Sequence, residues 1–225
     1  MTEGDQKLLR LEERPGSVLI DLDSGETLEV APSAVPPDMP GVGGSVSSPL
    51  LHALRAAAAR KAAARDLFRL LDRKLWTSSR LRRKLHDLGH EDSAVEAVLQ
   101  RAEEQGLHSD RDFADAFCRD TLRTKAVGRA WLESRLRQKG VPPSLAGDVA
   151  ARNLPSELET ELADAAAERR WRRETGRDQR ALARVQRFLA SRGFPGGMAA
   201  RAARAARPEA EPPDSSCISD PEGPS

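Results

Sequence analysis

His86 and His90 stand four residues apart in RLRRKLHDLGH, residues 80–90, with Asp87 directly after the first. On a helix that spacing puts two imidazoles on one face, the arrangement by which an HExxH segment holds zinc and positions an acid as general base. Such a site needs an unbroken helix, and Gly89 interrupts this one. At the matching places of two further copies of the pattern stand Arg137 and Val141, then Ala190 and Phe194. A ligand pair absent from its sister copies reads as incidental, and no metal or other cofactor is expected. His52 and His108 read as lone surface residues. The chain holds neither a Gly-x-x-x-x-Gly-Lys phosphate loop nor a Gly-x-Ser-x-Gly elbow, so binding rather than catalysis is the expected activity.

The cations are the other candidate chemistry. Arg80, Arg82, Arg83 and Lys84, then Arg129, Arg135, Arg137 and Lys139, then Arg169, Arg170, Arg172 and Arg173 occupy comparable places along the chain. Each can pair with phosphate or with a carboxylate of a protein partner. About a third are expected to touch that partner, the rest being solvated or paired one turn away, as Arg172 with Glu168. The formal net charge of +1 hides a segregation: residues 1–50 carry −6, residues 51–207 carry +12 and residues 208–225 carry −5. A basic body between acidic ends suits a polyanion or an acidic protein surface, single- or double-stranded DNA among the options.

These side chains need a scaffold, and the chain repeats itself. Leu81, Leu85 and Gly89 have the form L-x3-L-x3-G; Leu132, Leu136 and Gly140 follow 51 positions on, and Val185, Leu189 and Gly193 a further 53. Residues four apart share one helix face, so each pair of apolar residues forms a buried stripe while the arginines between point elsewhere. Each glycine falls where a helix ends in a left-handed residue that glycine adopts cheaply. A helical segment precedes every copy and a short one follows it after HEDS, VPPS and FPGG. Units this small bury too little alone and must stack, which implies an elongated, curved solenoid of tandem three-helix repeats. Aromatics make up only 4% of the chain, so Trp76, Trp131 and Trp171 read as core plugs of alanine-rich contacts rather than as stacking platforms for bases, Trp131 lying beside Leu132 on the apolar stripe.

The fold class read from the chain is therefore mainly α, preceded by a small N-terminal β meander. The expected organisation is a β-rich segment at 1–35, a Pro/Gly/Ser-rich linker at 36–49, helical repeats at 50–109, 110–155 and 156–206, and a disordered acidic tail at 207–225. The meander is three-stranded, with Pro15-Gly16 and Asp23-Ser24-Gly25 as turns, and should dock on the helical body or on a partner. Ser47 or Ser48 before Pro49 opens a long helix, the serine oxygen capping it, and the alanine runs beyond could break it. Cys118 and Cys217 are the only cysteines, and no stretch approaches a signal peptide or a membrane span. A soluble cytoplasmic protein with no membrane contact follows, expected as a monomer.

LRRKLHDLGH, VLQRAEEQGLHSDRDFADAF with Gly106, Leu107, Asp110, Phe113 and Ala114, GRAWLESRLRQKGV and RFLASRGF together resemble the RecX family of regulatory proteins, across roughly residues 50–206. The resemblance implies tandem three-helix repeats that lie along the groove of a RecA recombinase filament on DNA and inhibit or remodel it, modulating recombination, DNA repair and the SOS response. A general helical DNA-binding or scaffold protein is the alternative, but SAVEAVLQ, SLAGDVA and GGMAARA share no base-reading set. Two departures stand out. The family's first copy carries a Ser-x-x-Glu capping box where this chain has Thr77 and Arg80, keeping the cap acceptor and losing its reciprocal partner. The acidic tail is likewise foreign to the family pattern.

Overall fold

The computed structural model describes residues 5–208, so the reading of the acidic tail as disordered lies outside the described residues apart from Arg207 and Pro208. The chain is mainly α, with a small antiparallel sheet at its start. It divides into two compact units, one of residues up to Phe113 with Lys139–Val141, the other of Ala114–Gln138 and the residues from Pro142.

The sheet comprises β1 (Gln6–Arg14), β2 (Ser17–Leu22), β3 (Thr27–Val30) and β4 (Ser45–Val46), in the order β3-β2-β1-β4. Leu8, Val18, Ile20, Leu22, Leu28 and Val30 point to one face and pack on Leu51, Leu54 and Ala57 of helix α1 (Ser48–Leu71). The meander thus finds its cover within its own chain. The fourth strand departs from the three-stranded expectation: within the segment read as a linker, Ser45 and Val46 pair with Lys7 and Gln6, and Leu8 N–H donates to Gly44 C=O at 3.0 Å. A two-residue strand has no periodicity to read; its one buried side chain, Val46, seals the sheet against α1.

Helix α1 runs unbroken for 24 residues. Its alanines are strong helix formers and extend it where a break was open. Its first half faces the sheet; Ala63 and Leu67 in its second half pack on α2 (Ser78–Asp87) and α3 (Asp92–Glu104). The second unit holds most of α4 (Asp110–Thr124), α5 (Arg129–Gln138) and α6 (Pro143–Asn153), then α7 (Ser156–Trp171), α8 (Gln179–Ser191) and α9 (Gly196–Ala205). Leu81, Leu85, Leu132, Leu136, Val185 and Leu189 are all 0% exposed. Gly89, Gly140 and Gly193 follow their helices with φ of +89°, +91° and +81°. In the first and third copies the amide after the glycine bridges back to the last leucine of the stripe, His90 to Leu85 at 3.1 Å and Phe194 to Leu189 at 3.3 Å, which turns the chain toward the third helix.

Two serine or threonine caps inferred from sequence are replaced by acids from elsewhere. Ser47 makes no side-chain cap to α1; the backbone N–H of Ser48 donates instead to Asp5 Oδ1 at 3.2 Å. Thr77 makes none to α2, because its hydroxyl is buried and donates to the Lys139 carbonyl at 2.7 Å. A hydroxyl enclosed by protein takes the partner it is packed against, and here that is a carbonyl.

Candidate partner interface

The second helix of each copy carries the candidate cations, so its anchoring sets where they project. In the first unit, Asp110 at the start of α4 caps α2: its Oδ1 accepts the Ser78 N–H at 2.7 Å, while Ser78 Oγ lies 2.8 Å from His108 Nε2. His108, read from sequence as a surface residue, is 7% exposed and completes this cluster. Burial works against the charge on Asp110, yet hydrogen bonds from His108 and from the Ser78 N–H outweigh it and hold the carboxyl below its ordinary value. In the second unit Glu159 of α7 does the same for α5, accepting the Arg129 N–H at 2.7 Å from a side chain that is almost fully buried. In both cases the first helix of the following copy supplies a carboxylate to the positive end of a second helix.

The twelve cations divide by what already holds them. Arg82 forms a two-pronged pair with Glu96, and Lys84 lies 3.2 Å from Asp87. Arg129 is committed to structure, bonding the Leu154 carbonyl at 3.3 and 3.1 Å and lying 3.6 Å from Glu159. Arg135 donates to Gln138 at 2.8 Å, Arg137 pairs with Glu133 at 3.3 Å, and Arg172 reaches Glu168 at 3.9 Å. Arg170 pairs with the largely buried Glu174, which Arg184 also engages at 2.9 Å. Lys139 contributes its backbone carbonyl to Thr77. Arg80, Arg83, Arg169 and Arg173 make no ion pair with any described residue, and Arg83, Arg169 and Arg173 are exposed.

Arg169, Arg170 and Arg173 converge with residues that sequence reasoning left out. They line a cavity of about 460 Å³ in the second unit, together with Thr124, Lys125, Ala126 and Val127 of the α4–α5 connection, Trp131 of α5 and Phe188 and Arg192 of α8. Lys125 sits 5.7 Å from the Trp131 ring centre and Arg192 5.0 Å from that of Phe188. Lys125 and Arg192 are single cations flanking the copies rather than members of an arginine run, which left no local signal. Trp131 is half-buried and forms a cavity wall, correcting its assignment to the apolar stripe. Trp171 is core, its indole N–H donating to the Ala203 carbonyl at 2.8 Å, and Trp76 packs at the edge of the first unit's core and donates to Leu70 C=O at 2.9 Å.

His86 and His90 serve separate partners. His90 Nε2 lies 2.9 Å from Asp66 Oδ2, whereas His86 Nε2 lies 3.4 Å from Asp92 and its Nδ1 3.2 Å from the His90 carbonyl. The hydrogen bond with His90 holds the Asp66 carboxyl below the usual range. No group of three or more His, Cys, Asp or Glu side chains among the described residues is placed to hold a metal, and no described helix is long and apolar enough to cross a membrane.

Residues 109–149 match the family signature described as the second three-helix domain of RecX, and residues 157–202 that of the third. The regulatory protein RecX of Streptomyces lividans is 37% identical over 142 residues, covering 61% of this chain and 75% of that one. The regulatory protein RecX of Chromohalobacter salexigens is 33% identical over 129 residues, 57% of this chain and 82% of the relative. A crystal structure of regulatory protein RecX superposes with a TM-score of 0.68 at 25% identity, over 86% of this chain and 96% of the other. Three successive helix triplets, glycine-terminated at the same place, and relatives matched along most of their length lead to one assignment: this chain belongs to the RecX family of regulatory proteins.

Proposed function

We propose that this chain regulates the RecA recombinase by binding its filament on DNA and inhibiting or remodelling it, and so modulates recombination, DNA repair and the SOS response. Membership of the RecX regulatory family carries this reading. The charge distribution supports it: a body of +12 between acidic ends suits a polymeric anionic target, and Arg80, Arg83, Arg169 and Arg173 make no ion pair with any described residue. The chemistry is steric and electrostatic. It needs no cofactor and no turnover by the chain itself, which acts as a cytoplasmic monomer.

The test follows ATP hydrolysis by RecA on single-stranded DNA as the purified chain is added. Inhibition at well below one chain per recombinase is the expected result. Unchanged hydrolysis, together with tight salt-sensitive binding to bare DNA, would transfer the assignment to a general DNA-binding protein.

A further inference from the structure

We propose that the chain's own acidic tail, residues 209–225, docks in the cavity between the α4–α5 connection, α7 and α8 and holds those cations until a stronger polyanion displaces it. The docking stands on charge and reach. Its regulatory consequence rests on the reading of Arg169 and Arg173 as partner contacts.

The cavity wall selects negative charge. Lys125, Arg169, Arg170, Arg173 and Arg192 line it, with no carboxylate among the described residues of the wall. Of the five, Arg170 has an acid partner, the largely buried Glu174. The two rings in the wall offer no stacking face: Trp131 is faced by Lys125 at 5.7 Å and Arg135 at 5.1 Å, and Phe188 by Arg170 at 5.7 Å and Arg192 at 5.0 Å. A ring covered in this way orients its cations and leaves their charge intact. A carboxylate chain, which needs cations and no aromatic face, suits such a wall.

The tail carries that charge and starts within reach. Glu209, Glu211, Asp214, Asp220 and Glu222 belong to it, and it has no Lys, Arg or His. Pro208, from which it leaves, lines a recess with Trp171, Arg172 and Arg177, and Arg207 Nε donates to the Arg177 carbonyl at 3.0 Å. Arg172 of that recess and Arg173 of the cavity are consecutive at the end of α7, so the tail has one helix to pass, about 10–12 Å across. Its 17 residues span about 56 Å when extended. The recess is the poorer host for acids, since Glu168 and Glu174 stand in its wall. Cavity, recess and tail belong to one compact unit.

Tethering favours this occupant over a free acidic peptide. Exposed ion pairs contribute about 0–1 kcal/mol each, too little to hold a dilute peptide. A short tether presents the same groups at an effective concentration on the order of millimolar, so a weak contact is populated. A target bearing many anionic groups then displaces the tail, which sets a threshold for binding.

Cys217 supplies the probe. Cys118 is fully buried and its thiol is pushed up to about 11, so an uncharged nitroxide reagent attaches to the full chain at Cys217. At low salt the electron paramagnetic resonance spectrum should contain an immobilised component that disappears in about 0.5 M KCl. It should also be lost at low salt in K125Q/R173Q, whose altered side chains are exposed, and in E209Q/E211Q/D214N/D220N/E222Q, both with the native melting temperature. R80Q/R83Q, which alters cations of the other unit, should retain it. In the ATP hydrolysis assay with RecA on single-stranded DNA, the tail variant should inhibit at a concentration about two- to threefold lower than the native chain, as for a tail docked half to two thirds of the time. A mobile label in the native chain at low salt, equal immobilisation in K125Q/R173Q, equal release in R80Q/R83Q, or an immobilised fraction that grows with protein concentration would each overturn the docking. Unchanged inhibition by the tail variant, with its label released, would overturn the threshold. No inhibition by the native chain or the tail variant would overturn the threshold and the regulatory reading together, and the label spectrum would still decide the docking.

Discussion

Asp110 Oδ1 accepts the backbone N–H of Ser78 across 32 residues of sequence, at 2.7 Å. Glu159 repeats the relationship with Arg129 at the same distance. In each case a carboxylate near the start of one helix caps the cation-bearing helix two places earlier in the chain. Substituting Asp110→Ala leaves the amide without its acceptor and the helix end without its counter-charge, an expected cost of about 1–2 kcal/mol. Urea unfolding followed by circular dichroism measures it, and Asp110→Asn should recover part of the loss by keeping an oxygen acceptor.

Acid should weaken the first unit through its depressed carboxyls, Asp110 and Asp66 among them. Asp110 and Asp66 are both held below their ordinary values in the folded chain. A depressed carboxyl contributes stability that is fully present above its unfolded value, about 3.9, and is lost as pH falls through the lower folded value. Melting temperatures should therefore be level from pH 6 to 5 and drop below about pH 4. In Asp110→Asn that drop should be smaller, since one of the depressed carboxyls, which include Glu96 beside Arg82, is gone.

Glycine substitutions should separate turn conformation from packing. A Cβ on Gly89 meets open space, so Gly89→Ala pays only for its left-handed backbone, about 1–2 kcal/mol. A Cβ on Gly193 would overlap Trp131, and one on Gly128 would overlap the Gly193 carbonyl, at a place where Gly128 N–H also donates to Arg192 C=O at 2.8 Å. Both should cost more than Gly89→Ala, by about 1–3 kcal/mol for the overpacking.

Cys118 is fully buried in α4, and burial pushes its thiol up to about 11. Thiolate is the reacting species, so at pH 8 it should be inert. In a Cys217→Ser variant, a disulfide reagent should label the native chain only on the timescale of unfolding, and at once in denaturant.

Shortening the stripe should cost what a sealed core costs. Leu132 is 0% exposed in α5, and Leu132→Ala is expected to destabilise the chain by about 2–5 kcal/mol, measured by urea midpoint.

Local periodicity and turn chemistry carried the helices, the apolar stripes and the three glycines. Leu81 and Leu85 share a face because of a 3.6-residue repeat, and Gly89 ends the helix because left-handed backbone is cheapest without a Cβ. Those are properties of a few adjacent residues, and they are written in adjacent residues. The helix caps were not legible in the same way. Ser47 and Thr77 have the chemistry of caps, but Asp5 and Asp110 hold those positions, because a competition between acceptors is decided by proximity in space.

The candidate site shows the same division. Composition and spacing by themselves determined that this is a mainly helical, cation-rich chain of repeated triplets, since each depends on residue type and interval alone. Only the tertiary structure decided which cations are spent on Glu96, Leu154 or Glu174 and which pair with no described acid, and brought Lys125 and Arg192 to Arg169 and Arg173 around two aromatic rings. Charge is a property of a residue, whereas its neutralisation is a property of its neighbours, and those arrive from distant parts of the sequence when the helices pack.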